Sequence, residues 1–96
     1  MDTLTIQSIE ALKENGIIDT IFYEKNKFGE TEVGYNYKNS FAYHWFSEYV
    51  WMDGTKTLEF KQSYSIATGV RKKGIRQGCK VEYSLRSKIE KLNKNQ

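Results

Sequence analysis

The chain has 96 residues, 39% of them hydrophobic and 28% charged, a balance that excludes a disordered polymer and, at one domain's length, predicts a single small domain over 1–96. No apolar run approaches the ~18 residues a membrane helix requires, and one cysteine, Cys79, with one histidine, His44, excludes an internal disulfide and a Cys/His zinc set. The net charge of +3 is the difference of two opposed parts: residues 1–60 hold ten acids against five lysines, a balance of −5, and residues 61–96 hold ten cations against two acids, a balance of +8.

In chain order, MDTLTIQSIEALKENG has neither the basic start nor the continuous apolar stretch of a signal peptide, so a cytoplasmic protein is expected. Ile6, Ile9 and Leu12 at helical spacing, Thr5 as cap and Gly16 as a left-handed terminator predict a helix over 5–15. Two β-rich runs follow, IIDTIFYEK and TEVGYNY, separated by the turn-like NKFGE. They predict a hairpin whose second strand sets Val33, Tyr35 and Tyr37 on one face.

The central stretch NSFAYHWFSEYVWMDGTKTLEFKQSYSIATG predicts a second hairpin, with Asp53 and Gly54 as its two loop residues. That register pairs Phe41 with Ile66, Tyr43 with Tyr64, Trp45 with Gln62, Ser47 with Phe60, Tyr49 with Leu58 and Trp51 with Lys56 on one face. The aromatic content of this face marks it as the buried one. The opposite, open face then receives Phe46 opposite Lys61, and sets Glu48 against Glu59, a like-charge pair that opposes the ladder. A rival reading makes 41–52 a helix, because Ala42, Trp45, Phe46, Tyr49 and Val50 also fit a helical stripe. The choice matters for chemistry: on a strand His44 and Glu48 lie ~13 Å apart, too far to act as an acid/base pair, whereas on a helix they are one turn apart.

GVRKKGIRQG, residues 69–78, combines three glycines with four cations and no acid. Gly69 and Gly74 have the spacing of a phosphate loop, but Ile75 and Arg76 stand where a lysine and a serine or threonine are needed, so a mononucleotide site is not expected. Beyond it, Cys79, Val81 and Tyr83 alternate like a strand before Leu85, Ile89 and Leu92 take up helical spacing, with Ser87 and Glu90 at capping-box distance. The predicted fold is α+β: an N-terminal helix, an antiparallel sheet of four to five strands built from hairpins, and a C-terminal helix.

Function is expected from the basic third. Arg71, Lys72, Lys73 and Arg76, extended by Lys80, Arg86 and Lys88, suit sequence-independent contact with nucleic-acid phosphates or a nucleic-acid-bearing complex, with no enzymatic activity, cofactor or metal. The alternative is a protein-interaction module, an inhibitor or adaptor, acting as monomer or homodimer. Fourteen aromatics exceed what a small core absorbs, leaving Phe46, Trp51 and Tyr37 for a partner. With 12 lysines against 3 arginines, an AT-rich bacterial or phage source is compatible, and a phage-type inhibitor of a host nucleic-acid machine satisfies both readings.

Overall fold

The computed structural model describes residues 3–94. Thr5 caps the first helix, α1 (Ile6–Glu14), by accepting a hydrogen bond from the Ser8 amide, and Gly16 beyond its end takes φ 76°, a conformation that carries little penalty only without a Cβ. Five strands follow: β1 (Ile18–Lys25), β2 (Thr31–Tyr37), β3 (Ala42–Val50), β4 (Lys56–Ser65) and the two-residue β5 (Arg71–Lys72). They form one antiparallel meander in chain order, and α2 (Ile75–Lys94) closes the chain. The predicted α+β order of helix, hairpin-built sheet and helix is the observed one. Among the described residues no helix is long and apolar enough to cross a membrane.

Both helices lie on the same side of the sheet. Ile9 and Leu12 of α1 and Val81 and Leu85 of α2 meet Val33, Tyr35, Phe46 and Leu58 of the strands in one buried cluster, joined by Leu4 and Ile18. α2 approaches β4 closely because Gly78 faces the Phe60 ring, where an added Cβ would come to 3.0 Å. The predicted strand character of 79–83 is therefore corrected. α2 already starts at Ile75, and its inward residues are Gly78, Val81 and Leu85, at helical spacing, while Cys79 and Tyr83 are exposed. Cys79 is a free surface thiol.

Residues 41–52 are strand rather than helix over Ala42–Val50, which removes the one-turn His44–Glu48 pair. The hairpin register is half as predicted. Ala42/Ser65, Tyr43/Tyr64, His44/Ser63 and Trp45/Gln62 pair as expected, but from there the partners are Phe46/Phe60, Ser47/Glu59, Glu48/Leu58, Tyr49/Thr57 and Val50/Lys56. Two irregularities cause this. The turn has three residues, Met52, Asp53 and Gly54, closed by the Trp51 amide on the Thr55 carbonyl at 2.8 Å, with Gly54 at φ 88°. Lys61 is the extra residue of a β-bulge that restores the original register beyond it. The predicted Glu48–Glu59 opposition thus never forms.

The bulge also inverts the assignment of faces. Phe46, expected on the open face, is fully buried, stacked on Tyr35 at 6.1 Å and edge-on to Phe60 at 5.6 Å. The alternate residues Tyr43, Trp45 and Tyr49, expected in the core, project from the side that carries no helix.

Candidate functional site

The sheet face opposite the helices is built from two cross-strand rows. In the first, Phe22, Gly34, Trp45 and Gln62 are successive partners across β1 to β4. In the second, Tyr43, Tyr64 and Arg71 are successive partners across β3 to β5. Gly34 organises the first row. A Cβ there would lie 2.6 Å from two atoms of the Trp45 indole, so the indole rests on bare backbone, reaching across β2 toward Phe22. The Phe22 and Trp45 rings are 6.4 Å apart at 23°, and Tyr43 meets Phe22 edge-on at 5.4 Å, within the range in which aromatic pairs attract. Phe22 remains 42% exposed and Trp45, Tyr43 and Tyr64 are half-buried, so their upper surfaces are open to a ligand.

Charge is graded across this face. At the β5 side the Arg71 guanidinium sits 5.3 Å from the centre of the Tyr64 ring, a cation–π contact. Arg71 and Lys73 line a shallow groove of about 490 Å³ together with Trp45, Gln62 and Tyr64, and Lys61 with Glu24 and Glu32 form its other end. Lys61 donates to Glu32 at 2.9 Å. This hydrogen bond, helped by one from Asn26, holds the Glu32 carboxyl below the usual range despite its partial burial. The Glu32 charge is thereby compensated by Lys61, and Arg71 and Lys73 are the cations at the β5 end.

The seven cations expected to form one surface divide into four sets. Arg71 and Lys73 join the aromatic face. Lys72, the intervening residue of the edge strand, pairs with Ser63 and points to the helix side. Arg76 and Lys80 are exposed on the first turns of α2, one helical turn apart. Arg86 and Lys88 lie on the opposite side of the sheet from Trp45: Arg86 lies beside Thr3 and Ser8, whereas Lys88 covers the Tyr37 ring at 4.4 Å and donates to the Ser84 hydroxyl at 3.2 Å.

Of the aromatics expected to meet a partner, Phe46 is core. Tyr37 is partly buried, with its hydroxyl accepting from Ser84 at 3.4 Å. Trp51 is 51% exposed at the hairpin tip, steadied by Tyr49 at 4.8 Å and by its indole N–H on Thr57 Oγ1 at 2.9 Å.

Phe22, Tyr43, Trp45 and Tyr64 are the residues that sequence reasoning missed as surface groups. Two signals pointed to them: a glycine in mid-strand, which marks close approach of another group, and the unfavourable Glu48–Glu59 pairing, which marked a wrong register.

On the helix side, His44 Nδ1 is 2.7 Å from the Ser63 hydroxyl, which also accepts from Gln77 Nε2 at 3.1 Å. Burial pushes the His44 pKa down, favouring the neutral ring. Ser63 is nearly enclosed and no carboxylate is found on the imidazole among the described residues, so the orienting acid of a serine–histidine nucleophile is missing. No protein-family model, no curated protein and no solved structure matches this chain.

Proposed function

We propose that this chain is a non-enzymatic nucleic-acid-binding protein of the cytoplasm, and that it engages unpaired bases on the open sheet face. The observation that carries the reading is the Trp45 indole laid flat over Gly34, beside Phe22, on a face that neither helix covers. Aromatic rings presented this way take bases by stacking, without regard to sequence, at ~1–3 kcal/mol per base. Arg71 and Lys73 stand at the edge of the platform, and Arg76 and Lys80 continue the positive charge around the start of α2. A strand whose bases lie on Trp45 and Tyr64 would therefore run its phosphates along the β4–β5 side, away from Glu24 and Glu32.

Titrating the protein with single-stranded oligonucleotides while following tryptophan fluorescence tests this. Quenching is expected with single strands and less with duplex. Neutralising about four phosphates gives a slope near −3 in log affinity against log salt, at about 0.7 per contact for single strands. Affinity that is the same at low and high salt overturns the reading.

A second reading, a protein-binding adaptor or inhibitor, is favoured by one observation. The tip of the β3–β4 hairpin carries Tyr49, Val50, Trp51 and Met52, 46% to 107% exposed, an apolar cluster of the kind found at interface centres. Capture of a partner that survives nuclease treatment, and is lost on Trp51→Ala, supports this reading; loss under nuclease supports the first.

A further inference from the structure

We infer a second site, on the helix side of the β4–β5 edge, that binds a phosphate monoester in the cavity formed by His44, Ser63, Ser65, Thr68, Lys72 and Gln77. It does not depend on the open face binding anything, because the two sites lie on opposite sides of the sheet. The cavity, of about 360 Å³, is of the size that encloses a small organic molecule.

Its polar wall can donate from several residues. Gln77 gives one amide hydrogen to Ser63 and retains a second, since a carboxamide carries two. The Thr68 oxygen accepts from the Val70 amide at 3.3 Å, so its own hydrogen remains to be donated. Ser65 and Lys72 line the same space, and Lys72 has no ion pair among the described residues. No carboxylate lines the cavity.

A set of several donors and a cation without an acid selects an anion with several acceptor oxygens. Carrying close to two charges and three terminal oxygens at neutral pH, a phosphate monoester satisfies that set. Ala42 and Val70 supply an apolar wall for the organic part. His44 and Gln77 hold Ser63 in place by their shared hydrogen bonds and so fix the back of the site.

Such a group could come from a free small metabolite or from the terminal phosphate of a nucleic-acid strand, and the experiment separates the two. The full chain is titrated by NMR with inorganic phosphate, AMP and adenosine, and by fluorescence with an oligonucleotide bearing either a 5′-phosphate or a 5′-hydroxyl. Phosphate or AMP, but not adenosine, is expected to shift the Gln77 side-chain amide, the Thr68 amide and the His44 ring signals saturably. Lys72→Ala and Thr68→Val are each expected to weaken this about tenfold, the scale of one hydrogen bond to a charged group. Both positions are exposed, and a thermal melt of each variant confirms that it is folded.

Saturable AMP binding without discrimination between oligonucleotide ends assigns the site to a free monoester. A preference of about tenfold for the phosphorylated end, lost in Lys72→Ala, assigns it to strand ends. If phosphate and AMP shift those signals no more than equal chloride does, and the two oligonucleotide ends bind alike, the inference is overturned. That result leaves the stacking platform standing if single strands still quench the tryptophans in a salt-dependent way.

Discussion

Gly34→Ala isolates the contact on which the open face is built. Gly34 does not adopt a positive φ, so alanine is acceptable to the backbone and its effect comes from the methyl group alone. That methyl would sit 2.6 Å from Cδ2 and Cε2 of Trp45 and 2.7 Å from Cε3, against an optimal carbon–carbon separation of about 3.5–4.0 Å. The indole must therefore rise by about 1 Å or swing away, and in either case its packing on Phe22 is lost. Overpacking in an enclosed core costs about 1–3 kcal/mol. Because this indole can escape into solvent, the lower end applies, roughly 1 kcal/mol, or about 4–8 °C in Tm for a domain of this size.

Thermal melts of four proteins, wild type, Gly34→Ala, Trp45→Ala and the double variant, form a cycle that tests the cause rather than the size of the effect. With Trp45 removed the methyl meets open space. The same glycine replacement should then be neutral or stabilising by about 0.5–1 kcal/mol, since glycine within a strand carries an entropic penalty. If Gly34→Ala destabilises equally in both backgrounds, the indole is not what the glycine accommodates. In the wild-type background, displacing one stacking ring should also weaken single-strand binding by roughly five- to a hundredfold.

Three further outcomes are expected. Phe46→Ala should cost about 3–5 kcal/mol in denaturant unfolding, as a fully buried ring does, whereas Trp45→Ala should cost far less stability and remove most of the fluorescence response to single strands. Charge reversal at Arg71 or Lys73 should flatten the salt dependence of binding by about 0.7 or more per residue; Arg86→Gln, on the helix side, should leave the slope unchanged. His44 has a folded-state pKa depressed from 6.5 by burial, so the unfolded chain binds its proton first. Its contribution to stability is full above pH 6.5 and is lost as the pH falls below that value toward the folded pKa, and His44→Gln should remove this part of the pH dependence in a series of melts.

Local signals were the legible part of this chain. Thr5 and Gly16 bracket α1 because a capping oxygen and a left-handed glycine act within one turn. The β1–β2 hairpin was legible because its strands carry the expected residues on either side of a turn. The faces of β3 were not legible, because aromatics sit on both: Phe46 on one, Tyr43, Trp45 and Tyr49 on the other. Alternation alone then cannot tell core from surface. The choice depends on whether Phe60 or Lys61 opposes Phe46, and a single bulged residue decides that. The start of α2 was hidden for a different reason. Gly78, which weakens a helix in isolation, is there for its close approach to Phe60, a tertiary contact that no local pattern records.

The arithmetic of layers explains why such a face exists. Two helices and five strands in one meander leave only enough apolar helix surface to cover one side of the sheet. The other side must either be polar or serve a purpose that justifies exposing apolar surface. Here it is aromatic, yet it is kept shallow by Gly34, where a larger residue would fill the surface with its own side chain. It is also fringed by Arg71, Lys73 and the compensated Lys61–Glu32 pair, charges that oppose non-specific collapse. An aggregation-prone face would lack those charges, and a merely solvated one would have no reason to set Trp45 flat on bare backbone. Flat rings, an open upper surface and cations at the β5 border would suit the ligand proposed above, with planar groups strung along an anionic backbone, and the arrangement arises because one inserted lysine turns the aromatic side of β3 outward.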